Sequence, residues 1–217
     1  MSLALYYHPL ASFCWKVLIA LYENGTPFEP RLVDLGSPKA SAEFRQLWPI
    51  ARMPVLRDAA RDQVVPETSV IIDYLALHYP GPERLVPADP DVAIEVRLKD
   101  RFYDLYVGEP MQKIVTDRIR PEGRHDPHGV EQARELLRTA YDLIEKDMAD
   151  GRRWATGDAF TLADCAAMPA LFYAHKVEPF RHSHQSAGSY LDRLMQRPSV
   201  IRVLAEAEPY FKFFPET

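Results

Sequence analysis

Residues 3–20, LALYYHPLASFCWKVLIA, decide the fold of this chain. Leu3, Ala4, Leu5, Tyr6 and Tyr7 form a short apolar and aromatic run, which reads as a buried strand. His8-Pro9-Leu10-Ala11 is a turn. From Ser12 onward Phe13, Val17, Ala20 and Leu21 recur at helical spacing, with Lys16 and Glu23 expected on another face. Ser12 stands where an N-cap belongs. A strand that runs straight into a helix start aims free backbone N–H groups and the positive end of the helix dipole at the mouth of the turn. Such a place holds an anion, and a thiolate is an anion.

The 217 residues suffice for one large domain or two small ones, and an apolar content of 47% supplies a sizeable core without disulfides. The formal charge is −5 and the Lys and Arg residues are scattered, which argues against nucleic acid as a partner. No apolar run approaches the ~20 residues of a membrane span, so no membrane association is expected. The start of the chain lacks the pattern of a secretion signal. Cys14 and Cys165 are far apart and have no partners at ligand spacing, so neither a disulfide framework nor a metal is expected, and the expected location is cytoplasmic.

Outward from the opening stretch, Asn24-Gly25-Thr26-Pro27 stops the helix. Residues 28–35 read as a second strand with Phe28, Leu32 and Leu35 as core candidates, which completes a strand–helix–strand unit. Residues 42–48 read as a short helix ended by Pro49. Pro54 opens an apolar strand, and Val64-Val65 pairs back on it across residues 58–62. Taken alone, the Met53–Pro54 bond is expected trans, since only ~5% of X–Pro bonds are cis. Pro66-Glu67-Thr68-Ser69 opens a helix that Tyr79-Pro80-Gly81-Pro82 stops. Residues 80–91 hold four of the 19 prolines and read as a linker.

Beyond the linker every pattern is helical. A long amphipathic segment spans 92–119, bent near Gly108-Glu109-Pro110. A helix over 130–148 turns Ala133, Leu136, Leu137, Ala140, Leu143 and Ile144 inward. Thr161 and Asp164 fit a capping box at the head of the most apolar helix, with Phe160 and Cys165 at the staple positions. Two further amphipathic helices cover 186–196 and 199–207. The tail, 208–217, carries four aromatics and is expected to pack back on the body.

In this order and at these separations, four motifs resemble the cytosolic glutathione S-transferase superfamily, in its bacterial, serine-type pattern close to the theta and zeta classes. They are Ser12-Phe13-Cys14-Trp15-Lys16-Val17, Arg52-Met53-Pro54-Val55-Leu56, residues 67–75 (ETSVIIDYL) and the box at 161–164. The resemblance covers essentially the whole chain. It implies an α/β thioredoxin-like, glutathione-binding domain over 1–80, a linker over 81–91 and an all-α helical domain over 92–217. It also turns the expectation for Met53–Pro54 to cis.

The resemblance implies site residues. Met53, before the cis Pro54, pairs with the cysteinyl backbone of glutathione as an added strand does. Thr68 and the helix amides take the γ-glutamyl carboxylate. Glu67 takes the γ-glutamyl ammonium, or else complements the helix dipole. Arg52 reaches a glutathione carboxylate, or is a solvated charge. Trp48 is read as structural. Thiolate stabilisation falls to Ser12, then Tyr7 at the end of the first strand, then Cys14, which otherwise reads as an inert core thiol; Tyr7 otherwise reads as a core or edge aromatic and His8 as a turn residue. The usual reactive position of serine and cysteine types is Ala11 here, so a C-x-x-C redox couple is absent. Leu10, Tyr103, Tyr106, Val107 and Met111 are expected to line the electrophile pocket, and Asp100 or Asp104 to reach a partner subunit's glutathione.

The implied activity is a transferase of detoxification type. Glutathione is its co-substrate and no metal takes part. The partners are a small apolar electrophile and a second copy in a homodimer. The alternatives are a glutathione-dependent isomerase or dehalogenase, or a non-catalytic binding protein of the same fold.

Overall fold

The computed structural model describes residues 2–215. Strand β1 (Leu3–Tyr7) alternates strictly, burying Leu3, Leu5 and Tyr7. It pairs in parallel with β2 (Glu29–Leu32) on one side and antiparallel with β3 (Val55–Asp58) on the other. Strand β4 (Gln63–Pro66) closes the order β2-β1-β3-β4. Helices α1 (Ser12–Glu23) and α3 (Thr68–His78) pack together on one face, and Phe44 of α2 (Pro38–Leu47) covers Tyr6 on the other. The Met53–Pro54 bond is cis.

The edge strand departs from expectation. Leu32 is 59% exposed and Leu35 40% exposed, and neither joins the core. Strand β2 pairs on one side only and carries Pro30, which has no N–H to donate. Val33, one residue past its end, takes the inward place beside Phe44, Ala51 and Val55.

The second half is helical, beginning with α4 (Pro90–Phe102), whose start lies inside the segment read as linker. A π-helical segment (Tyr103–Gly108) leads into α5 (Glu109–Arg118). The helical ladder therefore widens one turn before the expected bend, and Pro110 sits harmlessly in the first turn of α5. Helix α6 (Pro127–Met148) buries a stripe of Ala133, Leu137, Ala140, Tyr141 and Ile144. Leu136 and Leu143 stand beside that stripe, 40% and 49% exposed, and are not core residues. Helices α7 (Leu162–Val177), α8 (Gln185–Met195) and α9 (Pro198–Ala207) complete the half. A 3-10 turn (Glu208–Phe213) then lays Phe211 against Trp15 and Phe172, and Phe214 stacks on Tyr173. Glu216 and Thr217, at the end of the expected tail, lie outside the described residues.

Helix α1 joins the halves. It packs against α3 on one side and α7 and α9 on the other, shares a core with Leu3, Leu5 and Leu56 of the sheet, and buries nine of its twelve residues. Lys16 and Glu23 do not form a polar face. Lys16 is wholly buried, and Glu23 is held by Arg197 and Ser199 at the start of α9. A helix covered on every side has no solvent face to give its charges, so each must find a partner.

The capping box at the head of α7 is formed as expected. Asp164 accepts from the Thr161 N–H at 2.9 Å and the Thr161 hydroxyl at 3.1 Å. It also accepts from the Ala155 N–H at 2.8 Å and the Tyr190 hydroxyl at 2.7 Å, tying a loop and α8 to the cap. Replacing Asp164 by Ala strands these buried donors. The expected loss of stability is about 2–4 kcal/mol, read by urea unfolding; a loss below about 0.5 kcal/mol, less than one net hydrogen bond, would contradict this role.

Candidate functional site

Two adjoining cavities open between the halves. The smaller, of about 100 Å³, is bordered by Arg52, Met53, Pro54, Glu67 and Thr68 from the first half. Arg101, Asp104, Leu105 and Glu109 close it from the second. All five residues expected to hold the peptide ligand thus meet in one place. Trp48, expected to be only structural, also stands in its wall. Local geometry explains the gathering. Pro54 precedes β3 and puts Arg52 and Met53 at the sheet's end, while Glu67 leaves β4 and starts α3. Glu67 has φ 67°, a left-handed conformation that favours glycine, and it caps α3 without a side-chain bond. Strain of this kind persists where the surroundings over-determine a residue, commonly at a ligand clamp. Thr68 follows as the first residue of α3, so its hydroxyl and the first-turn amides share the cavity wall.

The larger cavity, about 610 Å³, shares Phe13, Arg52, Met53 and Glu109 with the smaller one. Ser12 and Ala11 stand in its wall with Leu10 and Met111, and the apolar side chains of Val115, Ile119 and Phe214 complete it. Ala11, not Ser12, is the N-cap of α1, and it offers no side-chain cap. Ser12 is the first helical residue, and its hydroxyl is therefore not spent on capping. The amides of Ser12 and Phe13 are first-turn donors without intrahelical acceptors. They and the Ser12 hydroxyl make a neutral, donor-rich spot where a charged sulfur gains most.

Tyr7 is not at this spot. It lines a separate recess with Tyr22, Phe28, Arg202 and Glu206. Burial, and next the charge of Glu206, push its hydroxyl above the usual phenol range, and the carboxylate in this recess disfavours a second anion there. The alternation of β1 sends Tyr7 to the helical side with Leu5. His8 behaves as a turn residue: its Nδ1 accepts from the Leu10 N–H at 3.2 Å, and its ring meets Tyr210 edge-on.

The residues expected around an electrophile separate in the structure. Leu10 and Met111 border the larger cavity. Tyr103 is buried in the core, where burial and the neighbouring Asp164 raise its hydroxyl, and Val107 is buried as well. Tyr106 is half exposed and borders neither cavity. The π segment rotates these side chains away from where uninterrupted α geometry would put them. Asp100 and Asp104, the acids expected to serve a partner subunit's glutathione, are both buried and both pair with Lys16, and Asp104 also borders the smaller cavity. Lys16, Arg101 and Glu109 were missed. Lys16 alone gave a signal, a single charge inside the run Cys14-Trp15-Lys16-Val17-Leu18-Ile19. Among the described residues no three His, Cys, Asp or Glu side chains gather as metal ligands, and no helix is long and apolar enough to cross a membrane.

Comparison with known proteins gives the following. Residues 5–83 match the family profile described as glutathione S-transferase, N-terminal domain, and residues 127–206 the one described as glutathione S-transferase, C-terminal domain. A stringent starvation protein A homolog of Coxiella burnetii is 32% identical over 95% of this chain and 93% of its own. Glutathione S-transferase theta-1 of Bos taurus is 36% identical over 80% of this chain and 73% of its own. The solved structure of a glutathione S-transferase of Methylobacterium radiotolerans, in complex with glutathione sulfonate, superposes with a TM-score of 0.81 at 27% identity, covering 93% of each chain.

The two thiols give a direct check on which groups are reactive. Cys14 and Cys165 are both fully buried, and burial pushes the Cys14 thiol up to about 12. In the native protein neither is expected to react with a disulfide reagent at pH 8, and both to react at once in guanidinium; fast native labelling of Cys14 would make it a candidate reactive group.

Proposed function

The chain belongs to the glutathione S-transferase family, and from that membership and the joined cavities we propose that it transfers the glutathione thiolate to small apolar electrophiles. The carrying observation is the meeting of Arg52, Met53, Pro54, Glu67 and Thr68 in one cavity continuous with the wall that holds Ser12. Glutathione lies across both. Its γ-glutamyl carboxylate takes Thr68 and the first amides of α3, and its ammonium takes Glu67. Its cysteinyl backbone pairs with Met53, and Arg52 takes the glycyl carboxylate.

The sulfur then rests at the start of α1. A free thiol has a pKa of ~8.5 and only its thiolate attacks. The Ser12 hydroxyl and the first-turn amides lower that value by stabilising the anion, with no base taking the proton. The electrophile occupies the larger cavity against Leu10 and Met111. Exposed apolar residues on α3 and α4, among them Leu77, Ile94 and Leu98, support a homodimer through these helices. The two buried free thiols fit a reducing cytoplasm, and an apolar acceptor pocket fits detoxification.

A second reading, a glutathione-binding protein without turnover, is favoured by Ala11, which places no hydroxyl at the family's usual reactive position. Calorimetry with glutathione, followed by an electrophile panel, separates the two. Binding with turnover supports transfer; binding without turnover supports the second reading; no binding at millimolar glutathione ends both.

The reactive hydroxyl is tested by titrating thiolate absorbance of the bound peptide. Ser12→Ala is expected to raise the bound thiol's pKa by about one unit, close to 1.4 kcal/mol of lost anion stabilisation, while Tyr7→Phe leaves it in place. Since the thiolate forms as pH rises through that pKa, the acid limb of kcat/KM for the electrophile, measured at saturating glutathione, moves up by the same amount in Ser12→Ala. A larger shift in Tyr7→Phe would return the role to Tyr7.

A further inference from the structure

His8 opens the turn between β1 and α1, and its own side chain helps to pin that turn. The Ala11 N–H donates to the His8 carbonyl at 3.0 Å, and the Leu10 N–H donates to His8 Nδ1 at 3.2 Å. The ring meets Tyr210 edge-on, with centroids 5.6 Å apart. The bond to Leu10 has a chemical consequence. A ring nitrogen that accepts carries no proton, so the neutral imidazole holds its proton on Nε2 and keeps Nε2–H as a donor. Burial holds His8 below the usual histidine range, against the opposing pull of Asp34, and so keeps the ring uncharged near neutral pH.

His8 stands in the wall of the larger cavity with Ser12, on the other side of one closed turn. Most of that wall is apolar, with Leu10, Met111, Val115 and Phe214 among its residues, so a hydrogen bond made there is weakly screened. The other polar residues of the wall are few. Arg52 and Glu109 also border the smaller cavity, across which glutathione is placed. The Tyr173 hydroxyl is closed off from solvent. Gln112 on α5 is the remaining uncharged side-chain donor besides Ser12.

We propose that His8 is a catalytic residue of the transfer: its Nε2–H donates to the carbonyl oxygen of the electrophile, and the electrophiles the site serves best are α,β-unsaturated carbonyl compounds. The proposal rests on the transfer reading above and narrows its electrophile to one chemical class. The thiolate sulfur forms a bond to the β-carbon, and the C=C π pair shifts so that the carbonyl oxygen becomes an enolate oxygen. Negative charge thus develops on the atom that accepts from Nε2–H, and the bond strengthens as the reaction proceeds. The α-carbon then takes a proton from water and the carbonyl re-forms, while His8 keeps its own proton. An alkyl iodide offers no such oxygen. There the S–C bond forms as the C–I bond breaks, and iodide leaves with the electron pair.

The two ring nitrogens are tested separately. His8→Asn keeps an acceptor for the Leu10 N–H, two residues on, and removes the donor at the Nε2 position. His8→Gln supplies an amide N–H near the Nε2 position and gives up the turn acceptor. Wild type, both variants and Gln112→Leu are assayed with ethylideneacetone and with butyl iodide at saturating glutathione, uncatalysed rates subtracted. Thermal melts and calorimetry with glutathione accompany the kinetics. In His8→Asn the enone-to-iodide ratio of kcat/KM is expected to fall about a hundredfold, the scale of one lost oxyanion donor, with the melting temperature held. In His8→Gln the ratio recovers to within a few-fold of wild type while the melting temperature drops. His8→Asn decides the matter even where His8→Gln does not fold, because its turn bond is kept. A ratio kept in His8→Asn makes His8 a turn residue only and overturns the proposal. A fall in Gln112→Leu as large as that in His8→Asn overturns it too. A wild type that binds no glutathione, or turns over neither probe, removes the transfer reading and this proposal together. One that turns over the iodide but not the enone removes only this proposal. One that turns over only the enone supports it, the variants then being read against their glutathione affinity.

Discussion

An apolar helix that is covered on all sides leaves its charged residues nowhere to go. Helix α1 is that helix, and the rest of the structure follows from it. It packs against α3 on one side and α7 and α9 on the other, and shares a core with the sheet. Trp15 reaches across to Phe172 and Tyr173, and its Nε1–H donates to the Pro9 carbonyl at 2.5 Å, pinning the turn that precedes the helix. The two charges of α1 are answered by residues of the second half, Lys16 by Asp100 and Asp104, Glu23 by Arg197 and Ser199. Burial of α1 thus joins the halves, and the cavities appear where its N-terminal end emerges between them.

That placement decides the chemistry. The start of α1 presents amides and the Ser12 hydroxyl, while the start of α3 presents amides, Thr68 and the strained Glu67. Two helix N-termini open on one continuous recess, with Met53 and Arg52 between them. A peptide with an anion at each end of its recognised span fits such a recess, because each helix start favours negative charge. Ala11 sharpens the requirement. With no side chain to cap α1, it leaves the donors of the first turn for whatever lies in the larger cavity.

Much of this was legible locally. The strand, turn and helix of residues 3–20 are carried by period and punctuation, and the capping box by residues three apart, so both could be read without knowing the partners. The gathering of Arg52, Met53, Pro54, Glu67 and Thr68 in one cavity was legible because short motifs fix them to the start of β3 and the end of β4. What escaped depends on distant chain. Lys16 reads as a solvent charge until Asp104, 88 residues further along, is placed against it. Leu136 and Leu143 fit a helical period but lie beside the stripe that neighbouring helices cover. Tyr103 opens the π segment and turns into the core, Tyr106 lies within it and borders neither cavity, and no residue in Tyr103–Gly108 announces such a segment. Tyr7 and Ser12 are near in sequence but point into different recesses, a distinction set by the pleat of β1.

In the proposed function one tripeptide spans both cavities, its glutamyl end at α3 and its sulfur at α1. A crystal structure with glutathione bound tests this most directly. The expected result puts the sulfur ~3 Å from the Ser12 hydroxyl, within hydrogen-bond reach, with the γ-glutamyl carboxylate on Thr68. A sulfur lying against Tyr7, or a peptide bound away from Met53 and Thr68, would contradict the account.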